Sequence, residues 1–197
     1  MLRTVFTSTF YPIKSTLQFL KSLPKIYTRK GDNGETQLVR GLRKSKDNPI
    51  FHLLGDVDEL NSYIGICHSL AKDKKLKDSL NYIQNHLYHI GAYLATKDPT
   101  KLVAKDIDKK LENEIDQMTE QLPPLRNLIH PTGSVEASHL HYARTIARRV
   151  ERTYVSYTKR HFANKELMVF FNRLSDYLFV SARYANYLDG IKDVISV

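Results

Sequence analysis

The chain has 197 residues, of which 42% are hydrophobic and 26% charged, with seven prolines and eight glycines. That length supports one domain with a substantial core, and so few prolines and glycines favour helices over a turn-rich β fold. The formal charge is +9, but the first 31 residues hold Lys and Arg without a single acid, so the remainder is only modestly basic and overall charge makes no case for nucleic acid.

The opening "MLRTVFTSTFYPIKSTLQFLKSLPK" is basic, rich in Ser and Thr, and acid-free. Residues 1–24 read as a mitochondrial transit peptide that directs the chain to the matrix, with an ordinary basic tail as the alternative. No later stretch approaches the roughly 20 apolar residues that span a bilayer, so no membrane is expected. The single Cys67 excludes an intrachain disulfide and reads as a small core residue in "YIGICHSL".

Next comes "KIYTRKGDNGETQLVRGLRKSKDNP", a loop region with Gly31, Gly34 and Gly41 and room for a short strand. Pro49 can open a first helix, roughly Ile50 to Lys72. A second runs roughly from Lys75 to Thr96. Its apolar residues Leu76, Leu80, Ile83, Leu87, Ile90 and Leu94 alternate spacings of four and three, a bundle pattern. A third is expected from about Asp106 to Leu122. "PPLRNLIHPTG" then breaks the chain. Ser134 is a candidate N-cap for the fourth, about Val135 to Lys159, and the fifth runs from about Asn164 to Tyr187, stopped by Asp189-Gly190. The fold expected is all-α: a five-helix bundle over 25–190, preceded by a Gly-rich loop and followed by a tail, 191–197.

The fourth helix carries "ARTIARRVERTY". At 100° per residue, Arg144, Arg148 and Glu151 fall within about 60° of one another, at the border of the apolar stripe Ala143, Ile146, Ala147 and Val150. On the fifth helix Asn172, Asp176 and Arg183 share one strip, opposite Leu174, Leu178, Ala182 and Ala185. Polar groups on so apolar a helix need partners or water, since burying one unpaired costs roughly 1–3 kcal/mol. Either they tie the two helices together, or they line a cleft for an anion.

"TRKGDNGET" can turn backbone N–H groups toward an anion, with Thr28, Arg29, Lys30 and Thr36 adding donors. It is not a Walker loop, and alone it is as well read as a plain turn. With "RKSK" and the arginine helix it suggests a polyphosphate site, to which Lys46 adds a point charge. Asp56, Asp58 and Glu59 sit early in helix one, where acids favour the helix dipole. The histidines give no zinc signature, and no protein-bound metal is expected. No Ser-His-Asp or Cys-His arrangement is readable.

The order "YTRKGDNGETQL", "SKD", "GDVDELNSYIG", "LIHPTG", "HYARTIARRVER" and "NRLSDYLFVSARYAN" resembles the PduO-type ATP:cob(I)alamin adenosyltransferases, over roughly Lys25 to Tyr187. The resemblance implies a five-helix bundle assembling as a homotrimer with active sites between subunits. It implies transfer of the 5′-deoxyadenosyl group of ATP to the cobalt of reduced cobalamin, releasing triphosphate, with Mg²⁺ accompanying ATP. Cobalt(I) is then the nucleophile, so no activated Ser or Cys is needed.

On matching positions, Thr28, Arg29, Lys30, Gly31, Thr36 and Lys46 correspond to the ATP loop. Arg148, Arg149, Val150, Glu151 and Arg152 correspond to the ATP segment of helix four, and Asn172 to an ATP-binding amide. Arg148, Glu151 and Asp176 are the catalytic candidates, Asp176 as the residue that holds the helix-four arginines. Asp58 and Arg144 correspond to a salt bridge between subunits. Leu128 stands where many relatives have a phenylalanine that packs against the corrin and displaces its lower ligand. Lys30 replaces a threonine, Glu35 puts an acid into the phosphate loop, and "HPTG" replaces Pro-Gly-Gly. A reductase and a cobalamin-dependent mutase are the partner classes implied. The competing readings are a non-catalytic bundle that binds nucleotide or RNA, and a relative that binds ATP but has lost corrinoid chemistry. No RNP-like or other nucleic-acid motif interleaves the aromatics.

Overall fold

The computed structural model describes residues 26–39, 41, 43–102, 106–161 and 163–196, so the leader expected over 1–24 lies outside it. A hairpin of β1 (Glu35–Gln37) and β2 (Arg43–Ser45) precedes five helices: α1 (Pro49–Leu70), α2 (Lys74–Thr96), α3 (Ile107–Thr119), α4 (Val135–Thr158) and α5 (Lys165–Leu188). The strands are antiparallel, with Thr36 opposite Lys44.

Short polar side chains set the helix starts. Asn48 accepts from the N–H of Ile50 with Pro49 in the first turn, and Asp73 accepts from Leu76. Ser134 accepts from Ala137, and Asn164 accepts from Glu166 and Leu167. Each satisfies donors that have no partner inside the helix. α1 ends two residues earlier than expected because Asp73 claims the next cap. α3 stops at Thr119 rather than Leu122; Gln121 and Leu122 continue in tight turns, bonding to Met118 and Thr119. Pro123-Pro124 lies just beyond and disfavours the α conformation before it.

α4 packs between α1 and α5, while α2 closes on α1 and α3 on α5. The six α2 residues at alternating spacing are all buried, as are Ala143, Ile146, Ala147 and Val150 of α4 and Leu174, Leu178, Ala182 and Ala185 of α5. Each Leu, Ile or Val so buried contributes roughly 1.5–3 kcal/mol. Cys67 lies in this core, where burial pushes its thiol up to about 12, so it stays protonated and inert.

Beyond α5 the chain returns along the loop between α3 and α4, where Ile129 and Ile195 form an antiparallel bridge. Asn186 fastens the other end of that loop, accepting from the N–H of Ser134 at 2.9 Å and donating to the Thr132 carbonyl at 2.9 Å. Gly133, at φ 129°, makes room for it: a Cβ there would lie 2.1 Å from the Asn186 amide oxygen.

Candidate active site

α4 and α5 meet along a polar seam. Near one end Asn172 Nδ2 donates to Glu151 Oε1 at 3.0 Å, so the two strips expected from the sequence face each other. Arg144, Arg148 and Arg152 follow at i, i+4 and i+8, the spacing of one helix face. None of the three has a hydrogen-bond or ion-pair partner among the described residues. Arg144 Nε is buried and unpaired. Burial, and then the charge of Arg148, hold the Arg144 guanidinium below its ordinary proton affinity. A row of uncompensated guanidinium groups is a receptor for an anion with several oxygens.

Arg149 behaves differently. One residue further round the helix, it turns to α1, pairing with Glu59 and lying 3.4 Å from Asp56. Thr153 Oγ1 donates to the same Asp56 at 2.6 Å. The Glu59 hydrogen bond raises the Arg149 proton affinity. In this arrangement the Arg149 side chain joins α4 to α1. Val150 is a core residue, as its place on the apolar stripe requires.

Asp176 was expected to hold the helix-four arginines. Its partner is instead Arg173, one turn back on α5, at 2.9 Å; Arg173 also donates to Glu112 of α3 at 2.9 Å. An i−3 partner needs no reach across the seam. Arg183 leaves the strip too. It is buried, donating to Asp193 Oδ2 and to the Pro123 carbonyl, each at 2.8 Å.

Sequence reasoning missed His141. It is 2% exposed with both ring nitrogens unpartnered, and its pKa is depressed to about 4, first by burial and then by Arg144. The signal was present: residues 141, 144, 148 and 151 are spaced 3, 4, 3, one continuous stripe. Thr153 was also missed, although it lies one turn after Arg149.

In the Gly-rich loop, Lys46 Nζ lies over Gly31, where a Cβ would approach to 3.3 Å. Arg43 donates to the Lys30 carbonyl at 2.6 Å and to Glu35 at 3.1 Å. Glu35 is thus neutralised at the surface by Arg43, which answers its presence in a phosphate loop. Arg29 holds a left-handed φ of 58°. Thr28 and Lys30 are exposed, and Thr36 is half-buried. Leu38 packs against the core, while Val39 and Asp58 lie exposed along a groove between α1 and α2 that Leu54, Val57 and Leu87 also line. Val39 thus lies by α1 and α2, Glu151 faces α5, and Arg152 lines a hollow with Pro49 and His52 at the start of α1. Leu128 projects from the loop before α4, 83% exposed.

A family model described as Cobalamin adenosyltransferase matches residues 26–185. The chain belongs to the cobalamin adenosyltransferase family. Among its relatives, Corrinoid adenosyltransferase MMAB of Mus musculus is 37% identical over 186 residues, covering 88% of this chain and 77% of that protein. Corrinoid adenosyltransferase of Bacillus subtilis is 40% identical over 176 residues, covering 86% and 91%. A variant PduO-type ATP:corrinoid adenosyltransferase from Lactobacillus reuteri, complexed with cobalamin and ATP, superposes with a TM-score of 0.81 at 39% identity, covering 87% of this chain and 99% of that one.

Proposed function

We infer that the protein transfers the 5′-deoxyadenosyl group of ATP to cob(I)alamin, giving adenosylcobalamin and triphosphate. The observation that carries this is the row Arg144, Arg148 and Arg152, uncompensated among the described residues and lying beside the Glu151–Asn172 contact. In the reaction the cobalt(I) electron pair forms a bond to C5′ as the C5′–oxygen bond breaks, and the triphosphate departs with that oxygen. No side-chain nucleophile is required. The chain's tasks are to align C5′ with cobalt and to stabilise charge on the departing triphosphate.

In this reading Arg148 and Arg152 contact phosphate oxygens, while Glu151 and Asn172 bind as a pair and orient the nucleoside. Thr28, Arg29, Lys30, Gly31, Thr36 and Lys46 close over the phosphates from the Gly-rich loop. Mg²⁺ accompanies ATP, held through phosphate oxygens and water; no group of three or more His, Cys, Asp and Glu among the described residues is placed to hold a metal. The complete site joins the loop of one subunit to the arginine row of another, in a homotrimer where Asp58 meets Arg144. Leu128 faces the lower side of the corrin. The acid-free leader supports delivery to the mitochondrial matrix, alongside a reductase and a cobalamin-dependent mutase.

The test is anaerobic incubation with ATP and chemically reduced cobalamin, followed by the visible spectrum. Appearance of adenosylcobalamin with release of triphosphate is expected. ATP binding without that product would leave a nucleotide-binding relative that lacks corrinoid chemistry, and efficient displacement of ATP by RNA would favour an RNA-binding bundle.

A further inference from the structure

A single guanidinium spans the Gly-rich turn. Arg43, on β2, donates from Nη2 to the Lys30 carbonyl at 2.6 Å and from Nε to Glu35 Oε2 at 3.1 Å. The two acceptors stand at either end of the turn 30–35. The hairpin fixes where Arg43 starts, because Gln37 pairs with Arg43 and Glu35 with Ser45. The turn bonds only loosely to itself. Asp32 N–H reaches the Arg29 carbonyl at 3.4 Å and Gly34 N–H the Gly31 carbonyl at 3.3 Å, both beyond the usual N–H···O range. Arg29 at φ 58° and Gly34 at φ 77° hold left-handed backbone on either side.

The bond to Lys30 also orients the next amide. A trans peptide is planar, with its C=O and N–H on opposite sides. With the Lys30 carbonyl turned to Arg43, the Gly31 N–H points away from Arg43. It donates to no group among the described residues. Lys46 Nζ stands over the same glycine, 3.3 Å from where a Cβ would lie. A backbone N–H without an acceptor and an ammonium group at one residue are the parts of an anion site.

We propose that Arg43 is a positioning residue for ATP: anchored by Glu35, it turns the Lys30–Gly31 peptide so that the Gly31 N–H and Lys46 meet the phosphates together. This rests on the ATP reading of the loop given above. Glu35 then serves the site as an anchor, although its charge has the wrong sign for a phosphate loop. The pair is exposed, 42% at the Arg43 side chain and 52% at Glu35, and such pairs add little to the stability of a fold. Its effect is on the shape of the turn.

The test uses the full chain with Glu35→Ala, Glu35→Gln, Arg43→Ala or Arg43→Lys, beside the unaltered protein. Calorimetry gives Kd for ATP, steady-state kinetics give KM for ATP and for cob(I)alamin, and a thermal melt gives Tm. Electrostatics alone would tighten ATP when an acid leaves a phosphate loop; loss of an anchor does the reverse. Glu35→Ala should weaken ATP roughly threefold to tenfold, and Arg43→Ala roughly tenfold or more, as expected for lost charge-assisted bonds. KM for cob(I)alamin should stay within about twofold and Tm within about 2 °C. Glu35→Gln keeps an oxygen that accepts from Arg43 Nε, so most of the affinity should return. Arg43→Lys keeps the charge but not the fork that reaches two acceptors, so ATP should stay weak. Tighter ATP in Glu35→Ala, or full affinity in Arg43→Lys, would overturn the proposal. Variants that behave as expected, in a protein that makes no adenosylcobalamin, would uphold it and overturn the functional reading instead.

Discussion

Glu151 on α4 accepts a hydrogen bond from Asn172 on α5 at 3.0 Å, beside a row, Arg144, Arg148 and Arg152, that has no ion-pair partner among the described residues. The carboxylate is occupied by an amide and not by an arginine. That leaves Arg148 and Arg152 free to receive phosphate, the basis of the first prediction.

Arg148→Ala should weaken ATP use by roughly 10- to 100-fold, since one charge-assisted contact is worth roughly 1.5–3 kcal/mol. Arg148 is exposed, so Tm should change little. Steady-state kinetics in ATP beside a thermal melt check both halves. Unchanged kinetics would remove Arg148 from the site.

Arg149→Ala should do the reverse. It removes the pairing with Glu59 and Asp56 and costs about 0.5–1 kcal/mol, since the side chains are partly exposed. For a chain of this size that lowers Tm by roughly 1–4 °C. ATP kinetics should stay near those of the unaltered protein. An ATP defect as large as that of Arg148→Ala would show that Arg149 leaves α1 when nucleotide binds.

Asp58→Ala and Arg144→Ala should each impair trimer stability or rate, because Arg144 Nε is buried without a partner in the protomer and Asp58 is exposed. Exchanging them, Asp58→Arg with Arg144→Asp, should recover part of the loss. A double-mutant cycle on sedimentation and on rate measures the coupling. A fully active monomer, or zero coupling, would defeat the pairing.

Leu128→Phe should increase the fraction of bound cobalamin that has lost its lower ligand when ATP is present, because a flat ring covers more of the corrin than an isobutyl group. Identical spectra for the two forms would place Leu128 away from the corrin.

Stability should fall on mild acidification. His86 and His141 are buried, and burial depresses both from 6.5 to about 4. A histidine depressed in the fold binds fewer protons there than in the unfolded chain. Its contribution is therefore complete above about pH 6.5 and is lost as pH falls toward 4, with roughly 1–3 kcal/mol at stake for each. Denaturant unfolding at pH 7 and pH 5 should show the drop. His86→Leu, which keeps an apolar contact near Phe170, should reduce it. An identical pH slope would mean that His86 binds its proton equally well in the folded and unfolded chain.

Much of this protein was legible in its sequence because helix periodicity is a local property. The alternating spacing on α2 marked a buried stripe, Ser134 acted as the cap expected, and Asn172 faced Glu151 as two strips at the edges of apolar faces must when those faces pack. Tertiary structure alone decided partners. Arg148 and Arg149 are adjacent and chemically identical, yet a rotation of 100° sends one to the open seam and the other to Glu59. Asp176 found Arg173 on its own helix, and Arg183 found Asp193, ten residues on, because the chain turns back after Gly190. The run 191–196, without helical periodicity, gave no sign of lying beside Leu128: a single backbone bridge at Ile129 and Ile195 placed it there, and a bridge one residue long is too short to leave a period in the side chains.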